Sequence, residues 1–352
     1  MARALQGLTV AELTRELGSR ARALATVRWL YSRSPPAETL PEELAGVRRG
    51  SWEAFVARHG LTVPRQLERR TSDDGTTKYA LAFGDARVET VLVPARARST
   101  VCISSQAGCT RRCVFCATKE LGFTRHLQAE EMVAQFLVAR AASPPDQPAR
   151  NVVFMGMGEP MDNLDEVLRA IAVLTQSPAP QLRAEAVTVS TSGVVPGMRR
   201  FLAESRASLA LSLNATTDEV RERLMPHAKI WPIGSLLEVL RDAARRQPKR
   251  PTFVEYVLFD GVNDGDDDAD RLAAMFRTLP ARVNLIPCNP FPAGPLRAPS
   301  AERIIAFSRR VLRQGQLCMV RWPRGREIAA ACGQLVLARE GSGFVPQSPA
   351  AT

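Results

Sequence analysis

The sequence predicts an α/β protein built on a parallel sheet, and three observations predict it. Six short runs rich in β-branched residues, at 100 to 104, 151 to 155, 186 to 190, 208 to 213, 252 to 258 and 282 to 287, alternate with amphipathic segments. In one such segment Ile233, Leu236, Leu237, Leu240 and Ala244 share a single helical face. Unusual motifs follow strands rather than precede them: a cysteine loop, GMGEP at 156 to 160, STSG at 190 to 193, SLNA at 212 to 215 and CNPFP at 288 to 292. Repeated β-α units imply right-handed crossovers, in either an open doubly wound sheet or a partial barrel. Motifs after strands put the candidate site on the C-terminal rim.

The elements fall in order along the chain. Residues 1 to about 65 read as short helices, with Leu13, Leu17, Leu24, Val27 and Leu30, then Trp52, Phe55 and Val56, at helical spacing. Residues 66 to 99 read as a β-hairpin extension, Tyr79 to Phe83 and Arg87 to Val93 turning at Gly84-Asp85 and closed by Pro94. The α/β core runs from 100 to 337, with a further strand at 317 to 321 and a short helix over Glu327 to Leu335. Residues 338 to 352 are expected to be a disordered tail. There is no internal repeat.

At 352 residues and 45% hydrophobic, the chain can bury a full core. No secretory signal and no long apolar span are evident, which predicts a cytoplasmic protein with no membrane partner. A net charge of +11 favours a polyanionic partner such as nucleic acid. Lysine makes up only four of the 47 basic residues, so an arginine-rich composition is the alternative source of that charge.

Seven cysteines, three of them within eight residues, fit metal or redox chemistry better than a disulfide framework. Cys109, Cys113 and Cys116 form C-x-x-x-C-x-x-C with Phe115 before the third. Three thiolates so spaced can ligate three irons of a cubane 4Fe-4S cluster and leave the fourth iron open. A structural zinc ion needs four protein ligands. Cys102 is the nearby candidate fourth, and histidines are few: His59, His126 and His227.

This loop and the β-α alternation resemble the radical S-adenosylmethionine (SAM) superfamily, whose fold is a partial (β/α)6 barrel. There the open iron chelates SAM, and GMGEP looks like the superfamily's glycine-rich segment beside the methionyl amine. Gly156 and Gly158 would let backbone approach a ligand, and Glu159 would accept from a cationic amine. CISSQAGC, GFTR, NVVFMGMGEP, VTVSTSGVVP, NLIPCNPFP and AACGQL occur in the order of the RlmN and Cfr adenine methyltransferases, a resemblance covering about 20 to 337.

The resemblance implies specific roles. Cys332 would carry the methyl group from one SAM as S-methylcysteine, and a second SAM would supply the radical, so two are used per turnover. Cys102 would resolve the protein–RNA adduct through a transient disulfide with Cys332, and Glu89 would accept the proton from the substituted carbon. Gly158, Glu159, Ser190, Ser212, Leu213, Asn214 and Asn289 would bind SAM, with Ser192 as the alternative to Ser190. Read by themselves, Cys332 and Cys102 are packing cysteines and Glu89 a solvent-facing strand residue. Cys288 and Cys318 match no role.

The implied substrates are an adenosine in 23S rRNA and the adenosine 3′ to the tRNA anticodon, methylated at carbon 2. Carbon 8, as in Cfr, or a divergent paralogue with another substrate are the alternatives. An electron donor such as flavodoxin and a monomeric enzyme are expected. Arg321, Arg324 and Arg326 could bind RNA phosphates or form a solvated basic loop. The chain departs from the usual SLHA, WNPFP and TRG at Asn214, Cys288 and Pro323, which bears on substrate choice.

Overall fold

The computed structural model describes residues 3–178, 182–291 and 294–336; the expected tail lies outside them. Three helices begin the chain: α1 (Val10–Leu17), α2 (Arg20–Ser32) and α3 (Arg49–Val56). Helix α1 starts at a capping box, Thr9 with Glu12, and stops at Gly18, whose φ of 66° an L side chain adopts poorly. Leu13, Leu17, Val27, Leu30, Trp52 and Phe55 are buried, as the apolar spacing of the N-terminal segment predicts, whereas Leu24 is half-buried and Val56 is exposed.

The extension is larger than a hairpin. Strands β1 (Arg65–Thr71), β2 (Thr77–Phe83) and β3 (Ala86–Ala95) form an antiparallel meander. Pro94 does not close the unit: β3 runs through it and pairs with β4 (Arg98–Cys102), Pro94 opposite Ser99. Proline is tolerated in a strand where its missing N–H is not needed by the ladder. The sequence also hid β1, because RQLERRT is polar and largely exposed.

From β4 the sheet continues in parallel through β7 (Ala149–Phe154), β8 (Val187–Thr191), β9 (Ser208–Ser212), β10 (Thr252–Leu258), β11 (Ala281–Pro287) and β12 (Cys318–Val320). A separate pair, β5 (Gln106–Gly108) and β6 (Phe123–His126), is antiparallel. The main sheet has ten strands in the order β1-β2-β3-β4-β7-β8-β9-β10-β11-β12. Strand β12 does not return to β4, so the parallel part is a partial barrel rather than a closed one.

The crossovers carry α4 (Ala129–Ala141), α5 (Leu164–Leu174), α6 (Val195–Glu204), α7 (Asp218–Leu224), α8 (Ile233–Arg246), α9 (Asp266–Phe276) and α10 (Ala301–Arg313). Ile233, Leu236, Leu237 and Leu240 of α8 are buried, the face that the spacing assigned. A continuous apolar core joins sheet, crossover helices and N-terminal helices. Among the described residues no helix is long and apolar enough to cross a membrane.

The expected helix over Glu327 to Leu335 does not form. The segment is a series of turns in which Gly325, Ala329 and Gly333 have φ of 61°, 52° and 81°, each incompatible with continuing a right-handed helix. These turns cover the barrel mouth: Gly333 O accepts from Ala117 N at 2.7 Å and Leu335 O from Thr118 Oγ1 at 2.9 Å.

Candidate active site

The three clustered cysteines sit in a loop pinched at its base by β5 and β6, where Cys109 N donates to Gly122 O at 2.7 Å. Gly108 adopts φ 77°, and a Cβ there would collide with the Gly122 carbonyl, so this neck needs glycine. Phe115 packs on Phe259 with centroids 5.2 Å apart, anchoring the loop to a second apolar cluster that includes Cys288. Cys109, Cys113 and Cys116 all line one open cleft, together with the residues that follow the parallel strands.

Burial pushes Cys109 up to about 12, raises Cys116, and raises Cys113 well above a free thiol, helped there by the charge of Cys116 and Cys109. Nearby lies Arg221, fully buried, its guanidinium donating to the carbonyls of Leu213, Trp231 and Ser192. Among the described residues no carboxylate pairs with it, and burial lowers it to about 10. Crowded thiols beside a buried guanidinium that makes no ion pair among the described residues form a donor set suited to a metal cluster carrying thiolate charge. Among the described residues no three His, Cys, Asp or Glu side chains converge as for one mononuclear ion. Thiols that each take a different iron of a cubane stand further apart than that.

Gly158, Glu159, Ser190, Ser212, Asn214 and Asn289 line the same cleft, as the motif reading expected. Their roles differ from the simplest form of that reading. Gly158, at φ 102°, would place a Cβ 2.6 Å from Gln106 Cβ, and Gly156 one 2.7 Å from Ser104 Oγ; both glycines are required by the protein segment behind them. The Glu159 carboxylate accepts from Ser192 N at 2.8 Å, Ser192 Oγ at 2.6 Å and Met161 N at 3.1 Å. Burial nevertheless raises its pKa. Ser192 therefore orients Glu159, while Ser190 Oγ meets Ser212 Oγ at 3.2 Å on the cleft wall.

Leu213 does not face the cleft. It is fully buried, its N–H donates to Glu255 O at 2.9 Å, and its carbonyl takes Arg221 Nε at 3.1 Å. Asn214, at φ 60°, is held by its side chain: Oδ1 accepts from Val257 N at 2.9 Å. Asn289 links two loops, donating to Cys332 O at 3.1 Å and accepting from Arg326 Nε at 3.0 Å. Arg321 Nε donates to Asn284 Oδ1 at 2.9 Å and Arg324 to Pro94 O, so the arginines brace this loop.

Cys332 lines the cleft with the cluster cysteines and is accessible to solvent there. The walls around it push its thiol up to about 11, with Glu255 and Cys116 adding to the effect. Cys102, at the end of β4, is half-buried; burial raises it, and the charge of Cys332 raises it further. All seven cysteines are free thiols. Glu89 is not solvent-facing: it is 2% exposed and its Oε1 takes Lys78 Nζ at 2.9 Å. Burial raises its pKa, and Lys78 opposes that.

Glu255 escaped the motif reading. It lines the cleft, accepts from Asn284 Nδ2 at 2.8 Å, and burial pushes it up to about 7 against Asn284 and Arg321. A single charged residue inside the apolar strand TFVEYVL was the available signal.

Gly158→Ala is expected to impose about 1–3 kcal/mol of strain and to displace the Gln106 segment from the cleft wall. Calorimetric titration with SAM and a thermal melt measure both; an unaltered melting temperature and affinity would remove Gly158 from this account.

The radical SAM superfamily domain matches residues 103–273. A probable RNA methyltransferase of Sorangium cellulosum is 44% identical over 340 residues, covering 93% of this chain and 85% of that protein. The dual-specificity RNA methyltransferase RlmN of Geobacter sulfurreducens is 42% identical over 339 residues, covering 94% and 91%. The solved structure of a radical SAM methyltransferase from Sphaerobacter thermophilus superposes with a TM-score of 0.86 at 38% identity, covering 95% of this chain and 99% of that one. Identity of this extent, over nearly the whole of chains that share the fold, establishes that the chain belongs to the RlmN family of radical SAM RNA methyltransferases.

Proposed function

We propose that this enzyme methylates carbon 2 of an adenosine in 23S rRNA and of the adenosine 3′ to the tRNA anticodon. The observation that carries the reading is the solvent-accessible Cys332 on the same cleft as the cluster cysteines, with its charge acting on the Cys102 thiol. When bound at Cys109, Cys113 and Cys116, a 4Fe-4S cluster with SAM supplies the one-electron chemistry that an unactivated aromatic C–H requires.

The protein's own residues do the rest. Glu159, fixed by Ser192, and the Ser190, Ser212, Asn214 and Asn289 side chains bind SAM. Cys332 Sγ takes the methyl group as a thiolate and holds it toward the base, while Asn289 keeps its backbone in place. Once carbon is joined to the base, Glu89 accepts the proton from the substituted carbon, and Cys102 Sγ, as a thiolate, attacks Cys332 Sγ. The carbon leaves with the sulfur–carbon electron pair, takes up a proton and stays on the base as the methyl group. That displacement forms a disulfide between the two cysteines, and an external thiol reductant reopens the pair for the next turnover. Two SAM molecules are used per turnover, and the electron comes from a donor such as flavodoxin. The helices of residues 1–65 serve as an accessory RNA-binding unit beside the core, and the enzyme works as a cytoplasmic monomer.

The test is anaerobic reconstitution with a 23S rRNA fragment and with tRNA, followed by nucleoside chromatography and mass analysis. 2-Methyladenosine from both substrates is the expected product. Asn214 and Cys288, which line the cleft where relatives commonly carry histidine and tryptophan, favour one second reading: a divergent substrate or carbon-8 chemistry. 8-Methyladenosine, or no methyladenosine at all, would select it.

A further inference from the structure

Lys78 has no role in the mechanism above, yet it is buried and bridges two of its parts. Its Nζ donates to Glu89 Oε1 at 2.9 Å and to Ala329 O at 3.2 Å, in the turns leading to Cys332. An ammonium has three donors and no acceptor, so it can hold a carboxylate and a carbonyl together. The turn before β2 reinforces the contact. Asp74 accepts from Thr76 N at 2.9 Å through Oδ1 and from Gly325 N at 3.3 Å through Oδ2. A Cβ on Gly325 would lie 2.8 Å from Thr76 Cγ2, so the two segments are in close contact.

We propose that Lys78 is a positioning residue that seats the Cys332 loop and aims the Glu89 carboxylate as one unit, so that the proton acceptor is set when the carrier loop is docked. The inference rests on the roles given above to Cys332 and Glu89. Lys78 occupies Oε1 and leaves Oε2, which meets no hydrogen-bond partner within normal geometry among the described residues, as the atom that receives the proton. The groups that act on Glu89 are Lys78 from β2, Glu68 from β1 and the backbone of Val336 from the C-terminal segment. Burial and Glu68 raise its pKa; Lys78 and Val336 lower it. Loss of the ammonium therefore leaves a carboxyl that ionises only at higher pH. It also frees the Ala329 carbonyl from the seat.

The reconstituted enzyme carrying Lys78→Met tests this, with Lys78→Arg as the charge-conserving control. Cys332 in the Lys78→Met protein should still acquire its methyl group, read by peptide mass. Release of the protein–RNA adduct should slow on the acid side of its pH profile, and that acid limb should move to higher pH. Hydrogen exchange over residues 324–336 should accelerate. Lys78→Arg should restore both release and protection. Wild-type release kinetics and pH profile, or wild-type exchange over that loop, in the Lys78→Met protein would overturn the inference. If instead the unsubstituted enzyme never methylates Cys332, the proposed function fails, and the exchange experiment still decides whether Lys78 seats the loop.

Discussion

The Cys332→Ala enzyme is expected to bind its full complement of iron and sulfide and to methylate no RNA. The loop around residue 332 is held by backbone groups. Asn289 bonds the carbonyl of residue 332, and the carbonyls of Gly333 and Leu335 accept from Ala117 and Thr118. Alanine keeps every one of those contacts, and the cluster cysteines belong to a loop anchored independently at its neck and through Phe115. What disappears is the sulfur that carries the methyl group. Deleting a covalent carrier costs on the order of 10⁴-fold or more in rate, which in a methylation assay reads as no product. Iron and acid-labile sulfide analysis beside that assay separates loss of chemistry from loss of the cofactor. Residual methylation within tenfold of the unsubstituted enzyme would rule out the carrier role.

The Cys102→Ala enzyme is expected to complete carbon–carbon bond formation and then stall, accumulating protein covalently joined to RNA. Cys102 ends β4, paired with β3 on one side and β7 on the other, where its thiol feels the charge of Cys332. Removing one partly buried thiol from a strand costs about 1 kcal/mol, too little to unfold a chain with a core this continuous. Burial holds the Cys102 thiol in its protonated form. Attack on Cys332 Sγ thus requires that proton to leave, and release should be faster as pH rises. A denaturing gel with labelled RNA detects the adduct, which excess thiol should not dissolve because the link is carbon to sulfur. Multiple turnover with no retained RNA would remove Cys102 from the release step.

Much of this arrangement is legible in the amino-acid sequence. The parallel strands announce themselves because both faces are buried, so runs such as TFVEYVL and SLALSL are apolar and β-branched. The cleft residues were legible because chemistry at the C-terminal ends of strands demands polar and glycine residues there. Strand β1 was not, since an edge strand carrying Arg65, Glu68, Arg69 and Arg70 has no period of its own. The turns before Cys332 read as a helix because alanine-rich EIAAACGQL has helical propensity. Docking onto the 72–78 segment overrides it, with Ala329 forced to positive φ. Glu89 read as exposed because its partner, Lys78, comes from the neighbouring strand and no local pattern marks the pair. Leu213 stands between the cleft residues Ser212 and Asn214 in sequence, but just past the end of β9 its side chain packs into the core.

The most direct test of the account is peptide mass spectrometry of the residue 327–336 segment after anaerobic reconstitution and incubation with SAM alone, before any RNA is added. A single methyl group on Cys332, transferred to adenosine when RNA follows, is the predicted result. Methylated RNA from an enzyme whose Cys332 never carries that group would contradict it.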